Sequence, residues 1–110
     1  EPNRVLLVAA SEGDPLGVVD AVPDPERGDV FRVARLYVHP DEWGEGLGTR
    51  LVDGLRDRLP AGVERLCLVT LAENEIGTSF YESYGFERVG SRSEERGGET
   101  HEECVYTLGV

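Results

Sequence analysis

One segment, residues 36–51, most constrains the fold, because it passes from a β-strand through closely spaced glycines into an α-helix. β-Branched and aromatic residues are frequent at positions 30–38, which is typical of a strand. From Leu47 onward, apolar residues recur at helical spacing. The first N–H groups of a helix have no partner inside it and lie at the positive end of its dipole. The segment therefore favours an anion site at the turn.

The glycines of this turn lie at alternate positions, and this spacing excludes two common phosphate-binding motifs. Gly44-x-Gly46-x-Gly48 does not fit the dinucleotide fingerprint GxGxxG, and the sequence contains no phosphate loop of the form GxxxxGK followed by Ser or Thr. Glycines lack the Cβ atom that would keep a phosphate away from backbone N–H groups. The spacing alone leaves a phosphate site and a ligand-free glycine turn equally open. Glu45 would repel an anion, so we expect its side chain to point to solvent.

The rest of the sequence predicts one mixed α/β domain that covers residues 1–110. Short apolar or alternating segments indicate strands, and apolar residues at helical spacing indicate two helices. The predicted strands are 5–10, 17–22, 30–38, 65–71, 86–92 and 100–108. The predicted helices are 45–59 and 75–84, and the predicted connections include a turn at 11–16, a loop at 23–29 and a polar, mobile tip at 93–99.

The lengths of the connections predict how the strands pair in a single mixed sheet. Short turns join the first three strands, so we expect an antiparallel N-terminal meander. A helix joins Val38 to Arg65, which predicts a right-handed βαβ crossover and a parallel strand pair. The last two strands form a C-terminal hairpin. Alternation in the third strand predicts one face made of Phe31, Val33, Arg35 and Tyr37, and an opposite face made of Val30, Arg32, Ala34, Leu36 and Val38.

The charge of the chain excludes several classes of function. The net charge is −11, and all 11 basic residues are arginines. Such a chain has no basic patch for nucleic acid, but it favours cationic substrates such as amines. A lysine-free acidic composition is typical of halophilic archaea, and an ordinary acidic protein is the alternative. No apolar run approaches the roughly 20 residues of a membrane span, and no signal peptide is visible, so we expect a cytoplasmic protein without a membrane partner.

The cysteines and histidines do not indicate a metal site. Cys67 lies in an apolar strand, so we expect it in the core. Neither Cys67 nor Cys104 belongs to a CxxC pair. His39, His101 and Cys104 do not have the spacing of zinc ligands. We therefore expect no bound metal.

Two stretches of the sequence resemble motifs of the GCN5-related N-acetyltransferase (GNAT) family. Residues 36–51 resemble its motif A, in which a strand ends in a Val-x-Pro run and a Gln or Arg is followed by x-x-Gly-x-Gly at the start of a helix. Trp43 stands here where Gln or Arg is usual. Residues 74–86 resemble the motif Asn-x-x-Ala-x-x-Phe-Tyr-x-x-x-Gly-Phe, with Gly77 at the alanine. The two motifs occur in the family's order, and the resemblance extends over residues 5–110.

The resemblance implies an acyl-CoA N-acyltransferase-like fold and an N-acetyltransferase that uses acetyl-CoA as co-substrate and an amine of a small molecule or protein as acceptor. Asn74 would contact the CoA arm, although asparagine also suits a helix N-cap. Tyr81 would be the catalytic acid that protonates the departing thiolate, although it also suits the core. The implied cofactor-binding residues are Leu36, Tyr37, Val38, Gly44, Glu45, Gly46, Leu47, Gly48, Thr49 and Asn74.

The general base stays unassigned. The resemblance implies a glutamate either in the strand before the glycine turn or in the strand before the asparagine, and these positions hold Arg32 and Val69. A base that acts through water, or one in a segment outside this sequence, is equally open. Asp20, Glu26, Glu73, His39 and His101 are candidates only in the sense that they can titrate or accept a proton.

The family usually has a strand and two helices before the segment that corresponds to residue 5, and they form one wall of the acceptor site. We expect a truncated or divergent member, or one that completes this wall with a second chain, as in a homodimer. These departures keep open a second interpretation, a weak or inactive CoA-binding module for regulation or assembly. A third, an unrelated nucleotide-binding α/β domain, is disfavoured by the meander that precedes the glycine turn.

Overall fold

Six β-strands form one mixed sheet in the computed structural model, which describes residues 3–110. In chain order the strands are β1 (Val5–Ser11), β2 (Asp14–Pro23), β3 (Val30–Val38), β4 (Arg65–Leu71), β5 (Glu87–Arg96) and β6 (Glu99–Gly109). Two α-helices, α1 (Leu47–Asp57) and α2 (Glu75–Tyr84), follow β3 and β4, and a short 3₁₀ turn at Pro40–Glu42 precedes α1. In space the strands lie in the order β1-β2-β3-β4-β6-β5.

The pairing of the strands confirms the predicted mixed sheet. β1, β2 and β3 pair antiparallel, which is the predicted meander. β3 pairs with β4 in parallel, and α1 lies in the connection between them. β4 pairs antiparallel with β6, which forms the terminal hairpin with β5.

The hydrophobic core lies between the helices and one face of the sheet. The apolar side of α1 buries Leu47, Leu51, Val52 and Leu55. These side chains form one cluster with strand residues such as Leu66, and aromatic residues of α2 pack against the same cluster. Full burial of a leucine contributes about 1.5–3 kcal/mol. The buried side of α1 therefore stabilises an 11-residue helix that would be marginal in isolation.

The opposite face of the sheet carries an ion pair whose carboxylate is buried. Asp20 lies between the core residues Val19 and Ala21, so its side chain points away from the helices. Its two carboxylate oxygens accept hydrogen bonds from Arg4 at 2.6 and 2.7 Å. The Arg4 guanidinium holds the pKa of Asp20 below its usual range, and Arg35 acts in the same direction. Asp20 is therefore a structural anion and not an available base.

A β-bulge interrupts the pairing of β2 with β3. Ala21 is paired with Val33 and Asp20 with Arg35, so Ala34 is an extra residue in β3. A bulge of this kind reverses the side to which the following side chains point.

The bulge makes the predicted alternation wrong for the second half of β3. Leu36 and Val38 were expected on the face opposite to Phe31, but all three contact the core cluster. Tyr37 lies on the other face and is 50% exposed. The period-2 pattern failed because the extra residue depends on pairing with β2, which the sequence of β3 does not contain.

The first hairpin and α1 differ from the prediction at their ends. The turn between β1 and β2 is Glu12-Gly13, with φ of 51° and 87°, and not residues 11–16. α1 begins at Leu47 and not at residue 45, because Gly44 and Gly46 have φ of 82° and 81°. A positive φ is incompatible with a right-handed helix.

The predicted mobile tip at 93–99 is wrong, because β5 and β6 continue to a two-residue turn, Gly97-Gly98. Positive φ at both glycines matches the twist of an antiparallel hairpin. The polar residues of β5 form a strand because they are paired with residues of β6. Arg92 donates a hydrogen bond to the buried carboxylate of Glu103 at 2.8 Å.

Candidate functional site

A cavity of about 480 Å³ lies where β3 and β4 separate. Their parallel ladder runs from the pair Val30–Arg65 to the pair Arg32–Cys67, and over the described residues it does not continue beyond Arg32. The N-terminal ends of α1 and α2 border the opening. The cavity is lined by Leu36, Tyr37, Val38, Glu42, Trp43, Gly44, Gly46, Leu47, Gly48, Thr49, Asn74, Ile76, Gly77, Phe80 and Tyr81.

One edge of the cavity is the backbone of β3. The N–H of His39 donates to the carbonyl of Leu16 in β2 at 2.7 Å. Backbone groups of successive strand residues point to opposite edges. The N–H and C=O groups of Val38 and Leu36 therefore point toward the gap, and those of Tyr37 point toward β2.

The carbonyl of Val38 has a side-chain partner. The indole Nε1 of Trp43 donates a hydrogen bond to it at 2.8 Å. Trp43 is 51% exposed, and its ring forms part of the cavity wall.

The N-terminus of α1 has no side-chain cap. Gly46 is the N-cap residue in the left-handed conformation, and it has no side chain to accept a hydrogen bond. The first bond of the helix runs from the N–H of Arg50 to the carbonyl of Gly46 at 3.0 Å. The N–H groups of Leu47, Gly48 and Thr49 therefore have no acceptor within the helix. All three residues line the cavity.

Two glycines of the turn are required for different reasons. Gly46 needs a positive φ. Gly48 allows the two helices to approach, because a Cβ atom there would lie 3.2 Å from the ring of Phe80. Glu45 is the one predicted site residue outside the cavity lining: its side chain is exposed, and its N–H donates to the carbonyl of Glu42 at 3.3 Å.

The N-terminus of α2 is capped by its own side chain. The Oδ1 of Asn74 accepts the N–H of Gly77 at 3.1 Å, and its Nδ2 donates to Thr70 at 3.3 Å. A Cβ atom at position 77 would lie 2.4 Å from Nδ2. The glycine that replaces the family's alanine therefore makes room for this conformation of Asn74.

Tyr81 is half-buried and lines the cavity. Its ring packs edge-on against Phe86, with centroids 5.5 Å apart, and lies 5.9 Å from the ring of Tyr106. Burial raises the pKa of Tyr81, so the phenol is neutral at neutral pH. Tyr81 therefore packs against the core and lines the cavity, and its role as a catalytic acid stays a prediction.

Glu42, Ile76 and Phe80 line the cavity and were not selected from the sequence. Ile76 and Phe80 lie within the second motif and are four residues apart, so helical spacing predicts that they share one side of α2. Glu42 lies at the end of the 3₁₀ turn, and nothing in its spacing indicates a site.

The described residues provide two further observations. In residues 3–110, no group of three or more His, Cys, Asp and Glu side chains is arranged to hold a metal ion. None of the helices in this part of the chain is long and apolar enough to cross a membrane.

Known proteins share both the sequence pattern and the fold. The family described as "Acetyltransferase (GNAT) domain" matches residues 2–88. A mycothiol acetyltransferase from Kocuria rhizophila is 35% identical over an alignment of 92 residues, and the match covers 77% of this chain and 30% of that protein. The chain thus spans less than a third of the length of this relative.

Solved structures of acetyltransferases have the same fold. A GNAT acetyltransferase from Streptococcus pneumoniae superposes with a TM-score of 0.83 at 20% identity, and covers 100% of this chain and 69% of its own. The ribosomal-protein-S18-alanine N-acetyltransferase from Escherichia coli gives a TM-score of 0.81 at 22% identity, with 100% and 71% covered.

Proposed function

Because the chain belongs to the GNAT acetyltransferase family, we propose that it transfers the acetyl group of acetyl-CoA to an amine of a small molecule or protein. One observation carries the proposal. The same cavity brings together an exposed strand edge, an uncapped helix N-terminus and a neutral phenol. These are the groups that a thioester arm, a diphosphate and a departing thiolate would need.

The diphosphate of CoA would bind at the N-terminus of α1. The N–H groups of Leu47, Gly48 and Thr49 and the positive end of the helix dipole favour an anion there. Gly44 and Gly46 keep the approach free of side chains. This local potential is needed because the whole chain carries a net charge of −11, which repels anions at longer range.

The pantetheine arm would lie in the gap between β3 and β4. The N–H and C=O groups of Leu36 and Val38 would pair with its amides, and an N–H group would polarise the acetyl carbonyl, as an oxyanion hole does. Tyr37 would contribute its side chain to the wall. Asn74 donates one of its two side-chain N–H groups to Thr70, so the other is free for a carbonyl of the arm.

The reaction would proceed by attack of a neutral amine on the acetyl carbon, with loss of CoA as a thiolate. Tyr81 would give its proton to the sulfur, because its phenol lies beside the cavity and is protonated at neutral pH. Burial raises the pKa of Tyr81, which makes the phenol a weaker acid than a free tyrosine. Arg32 and Val69, at the positions where the family carries a glutamate, cannot accept the proton of the amine. We assign no residue to that step.

The test is release of free CoA thiol from acetyl-CoA with a panel of amines, together with binding measured by calorimetry. Turnover supports the proposal. Binding without turnover supports the alternative of a CoA-binding module, and absence of binding rejects both. We propose a cytoplasmic setting. The lysine-free composition leads us to propose adaptation to high salt, so the assays should include low and molar salt.

The role of Tyr81 has a matched control. Tyr81→Phe should lower kcat and leave the Kd of CoA within about twofold, because it removes one proton donor and little packing. Tyr84→Phe is the control, because the hydroxyl of Tyr84 donates to Asp53 at 2.6 Å outside this cavity. An unchanged kcat in Tyr81→Phe would reduce Tyr81 to a packing residue.

A further inference from the structure

We propose that the indole N–H of Trp43 competes with the pantetheine arm of CoA for the carbonyl of Val38. The inference rests on the proposed function and adds a residue to it. Trp43 stands where Gln or Arg is usual in the motif, and its indole Nε1 lies 2.8 Å from that carbonyl oxygen.

The backbone of Trp43 is fixed while its side chain reaches back over the end of β3. Its N–H donates to the carbonyl of Pro40 at 3.2 Å, which closes the 3₁₀ turn. Its own backbone is extended, with φ of −66° and ψ of 140°. The indole is 51% exposed, so a rotation about its side-chain bonds meets little packing.

The carbonyl of Val38 is the position where this contact matters. It points into the gap between β3 and β4, and an amide N–H of an arm lying there would use it as an acceptor. A carbonyl oxygen has two lone pairs, but the indole ring also occupies part of the cavity wall. The arm and the indole N–H therefore compete for one acceptor.

The competition predicts that removal of the indole N–H tightens CoA binding. One hydrogen bond to a neutral partner corresponds to about a two- to tenfold change in affinity. Trp43→Phe keeps an aromatic wall and removes the donor, so the Kd of CoA should fall by about two- to tenfold. The Kd of ADP, which carries a diphosphate and no pantetheine arm, should not change.

The chain offers a direct readout, because Trp43 is its sole tryptophan. In the wild-type protein, CoA should move the emission of Trp43 as its indole leaves the carbonyl, and ADP should not. ADP also controls for quenching by the adenine ring, because both ligands carry it. Calorimetry on the same samples establishes that each ligand is bound.

The outcomes separate this inference from the proposed function. If CoA does not bind by calorimetry, both fail. If CoA binds while the emission stays unchanged, or if ADP moves the emission as much as CoA does, the competition is wrong and the proposed function stands. A Kd of CoA that is unchanged or higher in Trp43→Phe, with the melting temperature preserved, also overturns the inference.

Discussion

The two helix N-termini that border the cavity are built in opposite ways. α1 begins at Gly46, which has no side chain, and the first turn of α1 contains no acidic residue. α2 begins at Asn74, whose side chain accepts the N–H of Gly77 at 3.1 Å, and Glu75 lies in its first turn. α2 thus satisfies its N-terminus with its own atoms, and α1 does not.

This difference identifies the end that is available to a ligand. The chain has 22 acidic residues among 110, so an acid-free first turn with three uncapped N–H groups is a specific arrangement. A glycine N-cap lowers helix stability by only about a few tenths of a kcal/mol relative to a capping side chain, so α1 keeps its terminus open at little cost. At α1, we propose that the diphosphate of CoA takes the place of the cap.

The largest expected effect comes from placing a carboxylate at the open terminus. Thr49→Glu should weaken CoA binding by about tenfold or more, because an added negative charge lies within a few ångströms of the diphosphate. The same charge favours the helix dipole, so the melting temperature should stay equal or rise slightly. Calorimetry and thermal unfolding would measure the two effects.

Ser79→Glu supplies the control for this charge change. Ser79 is an exposed residue of α2 that does not line the cavity. Ser79→Glu should leave the Kd of CoA within about twofold, because its charge is farther from the start of α1 than that of Thr49→Glu and is screened by salt. Equal weakening in the two variants would mean that the effect is general repulsion and not a site at α1.

The next effect tests the backbone conformation that leaves α1 open. Gly46→Ala should lower the free energy of unfolding by about 1–2 kcal/mol, because position 46 has a φ of 81°. Gly90→Ala is the matched control, since Gly90 has an ordinary φ and open space around its Cβ position. Chemical denaturation should show no loss for Gly90→Ala, and an equal loss in both would contradict the conformational explanation.

A smaller effect tests the cap of α2. Asn74→Ala should lower the free energy of unfolding by about 1 kcal/mol, because the N–H of Gly77 loses its acceptor. Asn74→Asp retains an acceptor and should recover most of this stability. If Asn74→Ala leaves the melting temperature unchanged, then the hydrogen bond between Asn74 and Gly77 does not stabilise the fold.

The last effect concerns the dependence of stability on pH and the phenols near α2. The hydroxyl of Tyr106 donates to Glu82 of α2 at 2.6 Å, and this bond raises the pKa of Tyr106 to about 12. The folded state then holds a proton that the unfolded state loses above about pH 10, so stability should fall from pH 10 toward 12.

The alkaline loss has its own control. The stability of Tyr106→Phe should depend less on pH between about 10 and 12, because the hydroxyl that causes most of this dependence is absent. Denaturant unfolding at pH 8, 10 and 11 would measure it. An identical slope in the variant would assign the alkaline loss to other groups.

The sequence predicted the elements and their pairing better than the details of the site. Hydrophobic periodicity located β3, β4 and α2, because their burial depends on local pattern. The side-chain directions of Leu36 and Val38 were wrong, because the extra residue Ala34 depends on the register with β2. β5 was predicted too short, because the polar residues 93–96 form a strand through their pairing with β6.

The candidate site shows the same division. The motifs located the residues around the cavity, and Asn74 was predictable as a cap from its position. The hydrogen bond between Trp43 and Val38 was not, because it depends on the backbone path of the 3₁₀ turn. The place of Glu42 in the cavity lining was not predictable for the same reason.

The most direct test is an amide NMR titration of the wild-type protein with CoA and, separately, with pantetheine, which has no diphosphate. CoA should shift the amide signals of Leu47, Gly48 and Thr49 at the start of α1 and leave that of Ser79 in α2, which does not line the cavity, nearly unchanged. Pantetheine should shift Leu36 and Val38 and not the start of α1. Bound CoA that leaves residues 47–49 unmoved, or that shifts the α2 terminus instead, would contradict the account.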